Sequence, residues 1–161
     1  MKYLLLTVLT LSMATTVCQT KSETEDFIKK YIEGNPQNNG AESEKNDVFF
    51  TTNDKGVYLM LYSNFITYSP QVLIIFEPSQ IQSITIDKTT MKGQNIMIRI
   101  RMKDGAKAQK KIPQRNEEKY IDTFEIILGN SAFSDNIPER LKKAIEHLSK
   151  LAGGGVTEDK F

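Results

Sequence analysis

Between Val48 and Leu128 the chain repeats one device: short runs rich in β-branched and aromatic residues, cut by turn signals at intervals of roughly 8 to 12 residues. The runs fall at 48–52, 56–62, 65–68, 72–76, 82–87, 95–103, 107–112 and 120–128. Asn53-Asp54-Lys55-Gly56, Ser63-Asn64, Ser69-Pro70, Pro78-Ser79, Lys92-Gly93 and Asp104-Gly105 punctuate them. Segments this short and this regularly interrupted predict antiparallel strands. The last run fits two periods, since Phe124, Ile126 and Leu128 alternate while Tyr120, Ile121, Phe124, Ile127 and Leu128 also match a helical repeat. It is read as a strand because the series before it is β, with the helix left open.

Two helices flank the series. Ser22-Glu23-Thr24-Glu25 is a capping box ahead of a helix predicted over 23–33, with Phe27, Ile28, Tyr31 and Ile32 on one face. Gly34-Asn35-Pro36 stops it, and the polar stretch to Asp47 reads as a loop. The chain closes with a helix over 138–152, Pro138 in its first turn and Gly153 just past its end. Its stripe of Leu141, Ala144, Ile145, Leu148, Leu151 and Ala152 must pack on something apolar, while Lys142, Lys143, Glu146 and Lys150 face water. The expected organisation is one globular domain over 19–153, a β core over about 48–128, and a flexible tail over 154–161. The fold class is mainly β, of the α+β type.

A short leading helix, seven or eight antiparallel strands and one closing helix resemble the pleckstrin-homology-like superfamily, in which a bent sheet or barrel is plugged at one end by the last helix. Phe76 to Ile86 is similar to the strand, tight turn and strand step common there, and Asn136 to Gly153 is similar to its capping helix. The likeness covers about 45–153 and omits the 23–33 helix. It implies a module that binds lipid headgroups, peptides or proteins without catalysis. Fold likeness names no ligand.

The first eighteen residues, MKYLLLTVLTLSMATTVC, hold one cation, an apolar run and then small residues, the layout of a secretory signal. A membrane-spanning helix needs about 20 apolar residues, and Thr7, Thr10 and Ser12 interrupt this run. The predicted cut lies between Cys18 and Gln19. Cys18 also stands where a lipidated cysteine would, although Thr15 and Val17 are poor lipobox residues, so an anchored form is the alternative. Beyond residue 18 the chain has no cysteine, which excludes a thiol nucleophile, a CxxC redox pair, a cysteine-rich zinc site and disulfides. No N-x-[ST] acceptor occurs. A periplasmic or secreted protein of the bacterial envelope fits best.

The chemistry-bearing residues are few. His147, the single histidine, lies on the flank of the closing helix and reads as structural, leaving no multi-histidine metal site and no histidine-dependent nucleophile. No nucleotide-binding, hydrolase-elbow, zinc-protease or calcium-loop spacing occurs. No catalytic residue, metal ligand or cofactor is therefore assigned, and a pair of carboxylates brought together by the fold remains the one catalytic alternative.

Charge is balanced overall, with 21 basic against 20 acidic side chains, yet residues 99–115 carry seven cations against Asp104 alone. If 95–103 and 107–112 form a hairpin, a three-residue loop pairs Lys103 with Lys107 and Arg99 with Lys111. That register puts Ile98, Ile100, Met102, Ala108 and Ile112 on the core side and leaves Lys110 as the misfit. Arg99, Arg101, Lys103, Lys107 and Lys111 then form a basic face. Opposed like charges are unfavourable, so either acidic neighbours or an anionic partner, such as envelope lipid or polymer, must compensate them. Nucleic acid is excluded by the export signal, the balanced charge and the lack of interleaved aromatics.

A second surface comes from 48–76, where both strand faces are apolar. If Val57, Leu59 and Leu61 point inward, Tyr58, Met60 and Tyr62 point outward, near Phe50 and Tyr68. They are covered by the chain's own helices or bind a protein partner, a second copy or a sugar. The functional expectation is an exported, noncatalytic binding or protein-interaction module. The alternatives are anionic lipid or polymer binding through the basic face, and a carboxylate-dependent hydrolase.

Overall fold

In the segment Ile96–Met102, isoleucines and Met102 alternate with Met97, Arg99 and Arg101, a pattern that can bury only one face of a strand. In the structure, a computed structural model that describes residues 19–36, 45–53, 56–64, 71–87 and 95–156, Ile96, Ile98 and Ile100 are fully buried while Arg99 and Arg101 face solvent. This strand, β5, is the centre of a three-stranded antiparallel sheet, between β4 (Ile81–Asp87) and β8 (Thr123–Leu128). A second antiparallel sheet is ordered β1 (Lys45–Asn53), β2 (Gly56–Asn64), β3 (Val72–Phe76), β6 (Ala108–Ile112), β7 (Glu117–Ile121). The architecture is α+β with two antiparallel sheets, and the ladders do not close into a barrel.

Three short crossings carry the chain between the sheets. After β3 it passes through a 3-10 turn at Pro78–Gln80 into β4. After β5 it turns at Lys103–Ala106, where the Ala106 amide donates to the Lys103 carbonyl at 2.9 Å. Gly105 takes a φ of 83° there, at the third position of a turn that requires a positive φ. Between β7 and β8 the only residue is Asp122, whose carbonyl accepts from the Met102 amide at 2.8 Å. The Lys103 amide reaches the Gln80 carbonyl at 2.8 Å, so the three crossings are bonded to one another.

This topology corrects the hairpin. The two strands flanking Asp104-Gly105 do not pair: β5 bonds to β4 and β8, and β6 to β3 and β7. The turn is compatible with a hairpin and with a corner alike, and a stronger apolar match across β4–β5–β8 selects the corner. The expected faces survive, with Met102, Ala108 and Ile112 buried and Lys110 half-buried beside them. The 120–128 run is strand, as expected, but it begins at Glu117 and changes sheet at Asp122. The strand expected at 65–68 lies outside the described residues.

Helix α1 (Lys21–Glu33) starts earlier than the sequence pattern suggests. Its capping box is Thr20 with Glu23, not Ser22 with Glu25: the Thr20 hydroxyl accepts from the Glu23 amide at 3.2 Å and Glu23 accepts from the Thr20 amide at 2.7 Å. The bond from the Thr20 amide first, and a second from the Thr20 hydroxyl to Glu23 Oε2 at 2.9 Å, hold the Glu23 carboxyl below the usual carboxylate range. α1 buries Thr24, Ile28 and Ile32, and packs on β1 and on the closing helix α2 (Ile137–Leu151). The Arg140 guanidinium of α2 stands 5.2 Å from the Phe27 ring and 5.4 Å from the Tyr31 ring, a cation–π seam between the helices. His147 Nε2 donates to the Gln19 carbonyl at 2.9 Å, since a carbonyl can only accept.

α2 buries Leu141, Ala144, Ile145 and Leu148 against β4 and the Pro78–Gln80 turn, whereas Leu151, read as part of the stripe, is 43% exposed. The stretch after α2, read as a tail, begins packed. The Gly154 amide donates to the Ser149 carbonyl at 2.8 Å, and a Cβ on Gly154 would meet the Ser79 carbonyl oxygen at 2.4 Å. Val156 lies against the core.

Candidate anion-binding site

The outer face of β4–β5–β8 is built in rows set by register. One row is Thr85, Arg99, Glu125; the next is Ser83, Arg101, Thr123. Side chains directly opposite on one face stand about 4.5–5.5 Å apart at Cβ, so each arginine meets its two row neighbours first. Arg99 is held by Glu125 through Nε at 3.0 Å and Nη2 at 2.8 Å. That hydrogen bonding, with the added charge attraction, raises the Arg99 pKa further. Arg101 has hydroxyl residues on both sides and no carboxylate opposite it.

Arg99, Arg101, Lys103 and Lys107 converge on one cleft of ≈ 620 Å³, floored by Ser83, Thr85 and Thr123 and closed at one end by the Asp104-Gly105 turn. Lys107 reaches the site by pairing with Asp122. Lys103 Nζ donates to the Ser79 carbonyl at 2.7 Å, a bond that uses one of three donors and leaves the charge unopposed. Lys111 is not part of the cleft. It belongs to β6 in the other sheet, where it pairs with Glu118 at 3.3 Å. There Glu118 also accepts from the Gln109 amide, and these bonds, the Gln109 one first and the Lys111 one second, lower its pKa.

Four of the five cations assigned to a basic face therefore have an oxygen partner within the chain, three of them a carboxylate. Arg101 is the one without. Its nearest counterparts, Ser83 and Thr123, carry no charge and no sequence signature; only the pairing of β4 and β8 with β5 brings them together.

Tyr58, Met60 and Tyr62 fall in β2, opposite Thr51, Phe49 and Asp47 of β1. Their side chains, and Tyr68, lie outside the described residues. Two carboxylates, Asp104 and Asp122, line the cleft. Asp104 is exposed at the turn tip and Asp122 is 64% exposed and paired with Lys107. Among the described residues, no group of three or more His, Cys, Asp or Glu is placed to hold a metal ion, and no helix is long and apolar enough to cross a membrane.

No family model, curated protein or solved structure matches the chain.

Proposed function

We propose that the protein is a noncatalytic binding module, exported to the bacterial envelope, that holds an anionic group of its ligand on Arg101 and Lys103. The single observation that carries this reading is the Ser83–Arg101–Thr123 row: a cation on a rigid central strand, flanked by two hydroxyls and by no carboxylate. A guanidinium presents a planar fork that suits phosphate, sulfate or carboxylate, hydroxyls rotate to donate, and Lys103 adds a second unopposed charge from the end of the cleft. The export reading is supported by the leader composition. The pleckstrin-homology-like reading of the fold belongs to the same proposal, supported by two antiparallel sheets with the closing helix laid against the turn at Pro78–Gln80.

Titration of the protein with inorganic phosphate and sulfate, followed by amide chemical shifts at rising sodium chloride, tests the reading. Affinity falls with salt, and Arg101→Gln weakens it about tenfold or more, the scale of a lost charge-assisted bond, with the melting temperature unchanged. Binding indifferent to both sinks the proposal.

A further inference from the structure

The Lys103–Lys107 turn is a wall between two hollows. On its far side lies a second pocket of ≈ 340 Å³ that shares Met102 and Lys107 with the cationic cleft. Both volumes lie within the roughly 300–1,000 Å³ typical of small-ligand sites. The second pocket has a different chemistry. Tyr120 stands at its rim with 65% of its surface exposed, and Glu77, Gln80 and Gln109 supply carboxylate and amide groups around an apolar floor of Ile75 and Phe76.

Tyr120 is out of place as a core residue. It sits on β7 opposite Gln109, with its hydroxyl 3.4 Å from Glu118 Oε1 and its ring left to solvent. An exposed ring edged by amides and a carboxylate is the pairing that binds a sugar: the ring accepts the apolar C–H face, and the planar side chains take neighbouring hydroxyls. The Gln109 amide nitrogen is already given to Glu118, so its carbonyl is the group left to accept from a hydroxyl.

We infer that the two hollows are adjoining subsites for one ligand, an acidic saccharide whose carboxylate, sulfate or phosphate sits on Arg101 and Lys103 while a neighbouring ring stacks on Tyr120. This rests on the anion-binding reading and names its ligand class. A lipid surface fits less well, because membrane docking couples cations to protruding apolar side chains. Of the large apolar side chains strongly exposed among the described residues, Phe49, Tyr120, Phe133 and Leu151, only Tyr120 borders either hollow.

The test measures binding of tetragalacturonate, a neutral galactose tetramer, inorganic phosphate and phosphatidylglycerol vesicles to the protein and to Tyr120→Ala, Tyr120→Phe and Arg101→Gln. Tetragalacturonate binds at least tenfold more tightly than phosphate and than the neutral tetramer. Tyr120→Ala removes that advantage while phosphate affinity stays the same, and Tyr120→Phe keeps it, because the ring rather than the hydroxyl is used. Since Tyr120 is exposed, the melting temperature stays put in all variants. If Tyr120→Ala changes nothing, or if the vesicles bind more tightly than the saccharide, the inference is overturned while the anion site stands. If no anion binds and Arg101→Gln is silent, both fall together.

Discussion

The β6–β7 ribbon and the outer face of β5 both carry cations, and they differ in what lies opposite each one. On the ribbon, Lys111 meets Glu118 across the strands, whereas Lys110 lies opposite Lys119, which pairs with Glu117 along its own strand. On β5, Arg99 meets Glu125, but two residues along, Arg101 meets Thr123. Cation count along a strand does not decide where charge remains. For Arg99, Arg101 and Lys111 cross-strand register does, because the opposing side chain is the first neighbour each one meets.

Register can be rewritten one residue at a time. Thr123→Glu makes the Arg101 row a copy of the Arg99 row; phosphate affinity then drops about tenfold or more, in line with a neutralised charge-assisted site, while circular dichroism and melting temperature stay close to wild type. A Thr123→Glu protein that still binds phosphate would break the comparison. Glu125→Gln does the reverse by releasing Arg99 into the same cleft, and isothermal titration shows tighter phosphate binding with a steeper salt dependence. A smaller effect is expected at Glu118. Its folded pKa is lowered, so its contribution to stability is present above the unfolded carboxylate value of about 4.3 and fades as pH falls through the lower folded value. Carboxyl chemical shifts across an acid titration report that value directly. Lys111→Gln moves it upward and leaves phosphate binding alone, since Lys111 is on the other sheet.

Much of the architecture was legible in local pattern. The alternation over Ile96–Met102 identified the buried face because a strand's period of two admits one solution, and the apolar stripe with Pro138 and Gly153 located the closing helix. Partner choice was not legible. Asp104-Gly105 serves a hairpin and an inter-sheet corner equally well, and which strands lie beside β5 depends on residues some twenty positions away in either direction. The first helix shows the same ambiguity at short range. Thr20-Lys21-Ser22-Glu23 and Ser22-Glu23-Thr24-Glu25 both satisfy the capping pattern, and the choice of the first goes with a turn that buries Thr24 and ties Gln19 to His147.

The site was legible only in part for the same reason. Arg99, Arg101, Lys103 and Lys107 stood out as charges, and they do share a cleft. Lys111 was grouped with them through a pairing that does not form. Ser83, Thr123 and Tyr120 gave no signal: the first two are ordinary strand hydroxyls, and Tyr120 looked like one more apolar member of the 120–128 run. Their places beside the two hollows arise from position on the assembled sheets.

The interleaved strand order has a consequence in time. The five-stranded sheet takes its last strand from residues 117–121 and the three-stranded sheet from 123–128, and each sheet skips over strands given to the other. Neither can be finished early as the chain is made from its N-terminus. Such non-local pairing slows folding relative to a simple meander, and it leaves no N-terminal fragment with a complete cleft. The Arg101 row joins Ser83, Arg101 and Thr123 from three separate strands, so the charged pocket exists only once β8 has docked on β5, the same step that brings Phe124, Ile126 and Leu128 into the core.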